Sequence, residues 1–120
     1  MGNRANILVK NDDVDGGVYL YTHWRADELP CDLKTALSRR LRWDDAVYLT
    51  RIIFDAMTEG RHGEEVGYGI STFPPDGENR VLTVNCEKQT VSFSGQPWTF
   101  EKFSQLTEPE LREVWKNRKL

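Results

Sequence analysis

The chain has 120 residues, of which 38% are hydrophobic and 29% charged, a composition typical of a globular domain with a single hydrophobic core. Its 16 basic and 19 acidic residues give a net charge of -3. This balance excludes both the strongly basic footprint of a typical nucleic-acid-binding domain and the strongly acidic surface of a DNA mimic. We therefore predict one domain over residues 1–120 and do not favour nucleic acid as its partner.

The cysteines and the hydropathy pattern indicate a cellular compartment. Cys31 and Cys86 are far apart in the sequence and form no CxxC pair. The sequence contains no signal peptide and no apolar run of membrane length, and Asn6 stands where a myristoylation motif requires serine or threonine. We expect a cytoplasmic protein with reduced thiols and no membrane partner.

Two short segments rich in β-forming residues open the chain, ANILVK at residues 5–10 and VYLYTH at residues 18–23. The segment between them contains Asp15-Gly16, a pair that suits the left-handed backbone of a hairpin connection. An N-terminal β-hairpin is therefore predicted.

Helical periodicity begins at Leu29, with Pro30 suited to the first turn. The apolar side of this helix is predicted to contain Leu29, Leu33, Ala36, Leu37 and Leu41. A second helix is predicted in RWDDAVYLTRIIFDAMTEG, with Asp44 as its N-cap and Gly60 at its end. Its buried face is predicted to contain Ala46, Leu49, Ile52, Ile53, Ala56 and Met57.

Alternation with a period of two returns in the second half of the chain. VGYGIST at residues 66–72 predicts one strand, and RVLTVNCEKQTVSFSG at residues 80–95 predicts a hairpin. PWTFEKFSQL fits either a short strand or a helical turn, and TEPELREVWK predicts a final helix with a capping box at Thr107 and Glu110. The order ββααβββα predicts an α+β fold: a mainly antiparallel sheet of about five strands with two or three helices on one face.

Two sets of residues have the composition of metal ligands, but neither has the expected spacing. Asn11, Asp13, Asp15 and Gly16 match the start of a calcium loop, whose twelfth position is here Thr22 instead of a bidentate glutamate. A formal Cys2His2 set consists of His23, Cys31, His62 and Cys86. Structural zinc ligands usually come in close pairs, which these residues do not form. We predict no metal and no cofactor.

Three arginines crowd beside a tryptophan in SRRLRWDD, at the junction of the two predicted helices. The residues concerned are Arg39, Arg40, Arg42 and Trp43. Guanidinium groups next to an aromatic ring suit phosphate or base contacts and equally suit a protein hot spot. The alternative is a helix C-terminus whose dipole favours cations. We predict a binding patch here.

The strand VYLYTH presents Tyr19, Tyr21 and His23 on one side. Open faces of antiparallel sheets are usually polar, so this row suits the open face better than the core. A ligand-binding sheet face is one interpretation, and a hydrogen-bonded strand-end histidine is the other.

The segments MGNRAN, GVYLYTHW, RWDDAVYLTRIIF and GYGIS resemble a family of small uncharacterised bacterial and phage proteins. The resemblance extends over most of the chain. It implies a bacterial or phage setting and carries over no activity, substrate or catalytic residue.

Two functions remain open at this point. The first is a non-enzymatic binding or regulatory module that docks a protein or a small anionic ligand through the arginines and Trp43, with a contribution from the tyrosine row. The alternative is a small hydrolase or transferase that uses His23 or His62 with a carboxylate such as Asp13, Asp15 or Glu64. No catalytic residue types occur at a diagnostic spacing, so we assign no catalytic residue and favour binding. The sequence leaves the oligomeric state open.

Overall fold

A computed structural model describes residues 3–11, 16–75 and 80–116. Over these residues it contains the strands β1 (Ala5–Lys10), β2 (Val18–Thr22), β3 (Tyr68–Ser71), β4 (Val81–Asn85), β5 (Thr90–Phe93) and β6 (Gln96–Thr99). The α-helices are α1 (Leu29–Ser38), α2 (Ala46–Met57), α3 (Phe100–Ser104) and α4 (Glu108–Arg112). Short 3-10 helices occupy Ala26–Glu28 and Val114–Lys116.

The six strands form one mixed sheet in the order β3-β2-β1-β4-β5-β6. Each neighbouring pair is antiparallel except β1 and β4, which run parallel with Ile7 opposite Leu82. The predicted α+β class is confirmed. The predicted count is wrong in detail, since the described part of the chain has six strands and four α-helices instead of about five strands and two or three helices.

The extra elements come from the segment that fitted either a strand or a helical turn. It forms both, because β6 ends at Thr99 and α3 begins at the next residue. The Thr99 side chain accepts a hydrogen bond from the Lys102 backbone N–H, which caps α3. A strand directly followed by a capped helix therefore replaces the single element that the pattern predicted.

All four helices pack on the same face of the sheet. Ile7, Leu20 and Leu82 point to this face from neighbouring strands and are fully buried. Strand alternation places Tyr19 and Tyr21 on the other face. No helix of the described residues packs on that second face, which we call the open face, although Asn6 in β1 is fully buried there.

The two long helices bury most of the predicted apolar positions. From α1 these are Leu29, Leu33, Ala36 and Leu37, and from α2 they are Leu49, Ile52, Ile53 and Met57. Two details of the prediction are wrong. Leu41 is 45% exposed because α1 ends at Ser38, and the N-cap of α2 is Asp45, whose carboxylate accepts from the backbone N–H groups of Val47 and Tyr48.

The end of the described chain is fixed to the start of α1. The predicted capping box of Thr107 and Glu110 is present. Trp115 Nε1 donates a hydrogen bond of 2.7 Å to the Ala26 carbonyl oxygen, and its ring meets Phe93 edge to face. These contacts tie the last helical turn to the opening of the helix layer.

Gly67 leads into β3 with a backbone that favours glycine. Its φ is +109°, and a Cβ atom built there would lie 2.9 Å from the Trp24 ring. Gly69, two residues later, would place a Cβ at an ordinary 3.9 Å from Tyr21. Gly67 thus lets the Trp24 ring lie close to the backbone, whereas nothing around Gly69 demands glycine.

We predict that Gly67→Ala lowers the free energy of unfolding by at least about 1 kcal/mol, because both its φ and its contact with Trp24 disfavour a side chain. Urea denaturation measures this loss. Gly69→Ala is the matched control and should cost clearly less. Equal losses in the two variants would contradict the interpretation.

Candidate functional site

The loop between α1 and α2 holds two arginines in an unusual backbone conformation. Arg40 and Arg42 have φ values of 54° and 58°, in the left-handed region that side chains disfavour. Such a conformation costs about 1–2 kcal/mol per residue and persists only where surrounding contacts enforce it.

The contacts that hold this loop come from aromatic rings and carboxylates. The guanidinium carbon of Arg40 lies 5.1 Å from the centre of the Trp43 ring, and its Nη2 pairs with the Glu101 carboxylate of α3. The guanidinium carbon of Arg42 lies 4.7 Å from the centre of the Tyr48 ring. Exposed cation–π contacts of this kind contribute about 0.5–1 kcal/mol each. The guanidinium group of each arginine therefore contacts an aromatic ring at the junction of α1 and α2.

Trp43 has a structural role in this junction. Its Nε1 donates a 3.1 Å hydrogen bond to the Leu37 carbonyl oxygen near the end of α1, which also accepts from the Arg40 backbone N–H. Its ring is partly buried and meets Phe100 edge to face. Replacing Trp43 would therefore damage the core together with any binding surface.

Apolar side chains lie exposed beside the two arginines. Leu41, between them in the sequence, is 45% exposed, and Tyr48 in the first turn of α2 is 49% exposed. We call Arg40, Leu41, Arg42 and Tyr48 the Arg/Tyr surface. Val47, 79% exposed, extends it along the first turn of α2. Sequence reasoning missed Leu41 and Tyr48: it took Leu41 as buried, and Tyr48 lies outside the apolar stripe of α2.

Arg39 differs from its neighbours. Its side chain is exposed, and its guanidinium makes no hydrogen bond or ion pair with the part of the chain that the structure describes. It borders a shallow groove with Asp55, Glu59 and His62. Of the four predicted patch residues, then, Arg40 and Arg42 form the surface, Trp43 supports it, and Arg39 faces this groove.

The predicted tyrosine row lies elsewhere. Tyr19 and Tyr21 are on the open face of the sheet, while the Arg/Tyr surface belongs to the helix layer on the other face. The Tyr21 hydroxyl and His23 Nδ1 are hydrogen-bonded at 2.9 Å, and the His23 ring meets Trp24 edge to face. The His23 backbone N–H also donates to the Gly67 carbonyl oxygen. The two halves of the predicted binding site do not form one surface.

The alternative catalytic groups are not brought together. The ring of His23 bonds to a tyrosine, and His62 is exposed without a hydrogen bond or ion pair in the described residues. Asp13 and Asp15, two of the four residues of the calcium-like pattern, lie outside the described residues. Among residues 3–11, 16–75 and 80–116, no three His, Cys, Asp or Glu side chains cluster as metal ligands would.

Both cysteines are free thiols. Burial raises the pKa of the Cys86 thiol to about 11, and burial followed by the nearby Glu28 raises the pKa of Cys31. A helix start on its own would favour the Cys31 thiolate, but burial and the acidic side chain beside it outweigh the helix dipole. Neither thiol is poised as a nucleophile.

Asp32, in the first turn of α1, forms a partly buried ion pair with Arg25, whose side chain is 34% exposed. Arg25 Nη2 lies 3.4 Å from Asp32 Oδ1, while Asp32 Oδ2 and Arg25 Nε are buried without a partner in the described part of the chain. Burial raises the pKa of the Asp32 carboxyl to about 6, although Arg25 opposes this shift. Residue type and spacing do not indicate this group, since an aspartate in a first helical turn already suits the helix dipole.

No family model, no curated protein and no solved structure matches this chain. Within the described residues, no helix is both long and apolar enough to cross a membrane.

We predict that Asp32→Asn stabilises the protein in alkaline but not in acidic solution. The folded pKa of about 6 exceeds the unfolded value of 3.8, so the free energy of unfolding falls as the pH rises through this window. Asparagine avoids the buried charge and can still accept from Arg25. Thermal unfolding at about pH 4 and about pH 8 measures the difference.

Asp27→Asn, at an exposed position in the preceding turn, controls for the change in net charge. A variant Asp32→Asn that is less stable than the parent protein in alkaline solution would show that the ionised pair is favourable instead.

Proposed function

We propose that this protein is a non-enzymatic binding module of a bacterial or phage system, which docks a partner protein through the Arg/Tyr surface. The observation that carries the proposal is the left-handed backbone at both Arg40 and Arg42, with each guanidinium set over an aromatic ring. The bacterial or phage setting follows from the sequence resemblance alone.

The strain in the loop supports a binding role. Glycine would relieve the left-handed backbone at either position, yet the sequence has arginine at both. Strained residues cluster at binding sites, where a fixed conformation is part of the mechanism. A side chain already held on a ring loses less conformational freedom when a partner binds, which saves about 0.5–1.5 kcal/mol per side chain.

The composition of the surface favours a protein over a small anion. Arginine and tyrosine are enriched in protein hot spots, and Leu41 adds apolar area next to them. Glu101 pairs with Arg40, and the Asp45 carboxylate lies 4.0 Å from Arg42, so the local positive charge is already largely balanced. An apolar partner surface with one or two carboxylates complements this arrangement better than a free phosphate does.

Site-specific photo-crosslinking tests the location of the surface. A photoreactive phenylalanine analogue at Leu41 is expected to capture a discrete partner from native bacterial lysate, and the same analogue at Tyr19 on the open sheet face is not. Mass spectrometry of the adduct identifies the captured species. Capture from Tyr19 alone, or from neither position, would contradict the proposal.

We predict that Arg42→Ala weakens binding of the captured partner at least tenfold, which corresponds to about 1.4 kcal/mol. Arg51→Ala is the matched control, since it removes another exposed arginine, one that lies within α2 and pairs with Asp55. Titration calorimetry with the purified partner measures both. Equal affinities for the two variants would remove Arg42 from the binding surface.

We also predict that Arg42→Gly is more stable than Arg42→Ala by about 1 kcal/mol, because only glycine accepts a φ of 58° without strain. Both variants should bind the partner equally weakly, since both lack the guanidinium. Urea denaturation of the two variants measures the cost of backbone strain, and titration of both with the partner measures their binding. Identical stabilities would mean that the loop is not strained.

A further inference from the structure

The two edges of the sheet differ in how they are protected. The β6 edge carries Pro97, which has no N–H to offer, and α3 follows β6 directly and packs against it. Among the described residues, the β3 edge has neither device. Edge strands usually carry proline, charge or a covering element, because an open edge pairs readily with another strand.

The backbone groups of β3 that face outward can be identified from one hydrogen bond. The His23 backbone N–H donates to the Gly67 carbonyl oxygen, and hydrogen-bonded pairs alternate along an antiparallel ladder. Gly69 and Ser71 therefore turn their backbone groups towards β2. Tyr68 and Ile70 turn theirs towards the open edge.

The segment around this edge is uncharged. Residues 66–75, VGYGISTFPP, contain no charged side chain, although 29% of the whole chain is charged. Val66, Ile70 and Phe73 are 56%, 62% and 67% exposed. An edge with free backbone groups and exposed apolar side chains has the chemistry of a strand-pairing site.

We infer that β3 pairs antiparallel with β3 of a second copy of this chain. Charge supports this occupant: residues 66–75 carry no charged side chain, so two copies can bring this edge together without repulsion even though each chain has a net charge of -3. An antiparallel edge pairing of identical strands has a twofold axis and is therefore a closed, self-complementary contact.

The register of this pairing follows from the outward groups. With Gly69 on the twofold axis, Tyr68 of each copy lies opposite Ile70 of the other, and these residues exchange their backbone hydrogen bonds. Gly69 brings no side chain to the crowded axis. The exposed Ile70 side chain of each copy then lies on the helix side of the sheet, opposite Tyr68 of the other copy.

The pairing joins two six-stranded sheets edge to edge. Because the axis is perpendicular to the sheet, both helix layers lie on the same side. The Arg/Tyr surface, which is part of the helix layer, stays exposed in each copy. The dimer would thus present two such surfaces to a partner.

Sedimentation velocity over a concentration series tests the inference. We expect the parent chain to approach twice its monomer mass of 13.9 kDa as concentration rises. Ile70→Lys should remain at the monomer mass, since it places like charges across the axis. Gln96→Lys makes the same kind of change at the β6 edge and should leave the dimer intact.

Ile70→Pro is a second variant that removes the outward N–H while sparing the ladder with β2, and it should also be monomeric. Circular dichroism confirms that each variant is folded. A parent chain that stays monomeric at every concentration overturns the inference. A dimer that survives both Ile70 variants, or is lost in Gln96→Lys, overturns it as well.

The outcome is independent of the proposed function. A protein that stays monomeric but still crosslinks a partner through the analogue at Leu41 would contradict the dimer and would not affect the docking role. A dimer without such capture would do the reverse.

Discussion

Parallel pairing of β1 with β4 at the centre of the sheet is the constraint on which the rest of the architecture depends. Parallel strands cannot be joined by a tight turn, so the chain must cross over before β4 can lie beside β1. The chain between them forms β2, α1, α2 and β3. Both long helices cover one face, β3 becomes the outer strand, and the other face remains open.

The fold is stabilised by burial of the side chains that the central strands present to the helices. Ile7, Leu82 and Val84 are fully buried, and burying such a side chain contributes about 1.5–3 kcal/mol. On the other side of β1, Asn6 is also fully buried, and both polar atoms of its amide lack a partner in the described residues. An unsatisfied buried amide costs about 1–3 kcal/mol, so the open face at the sheet centre is less favourable than the helix side.

Local features of the fold could be predicted from the sequence because they depend on neighbouring residues. The capping box of Thr107 and Glu110 and the apolar stripe of α2 are examples, since a few positions at fixed spacing determine them. The parallel partner of β1 could not be predicted, because nothing in ANILVK distinguishes a parallel from an antiparallel neighbour. Leu41 was misplaced because the period of α1 continues past its real end at Ser38.

The candidate site likewise has features that could be predicted from the sequence and features that could not. The sequence indicates the arginines and Trp43, because residue type alone suggests their chemistry. It does not indicate the left-handed backbone that sets Arg42 over Tyr48, nor that Trp43 supports the loop from beneath. It also gives no sign that the tyrosine row and the arginines lie on different faces, which follows only from the register of β1 and β2.

The proposed docking role requires that the loop carrying Arg40 and Arg42 is held in its binding conformation before any partner arrives. Backbone relaxation and chemical shifts measured by NMR on the free protein test it most directly. We expect both arginines to show chemical shifts typical of left-handed backbone. We also expect backbone order parameters of about 0.85 in this loop, the value of rigid backbone. Averaged shifts with order parameters below about 0.6 would show a flexible loop and contradict the account.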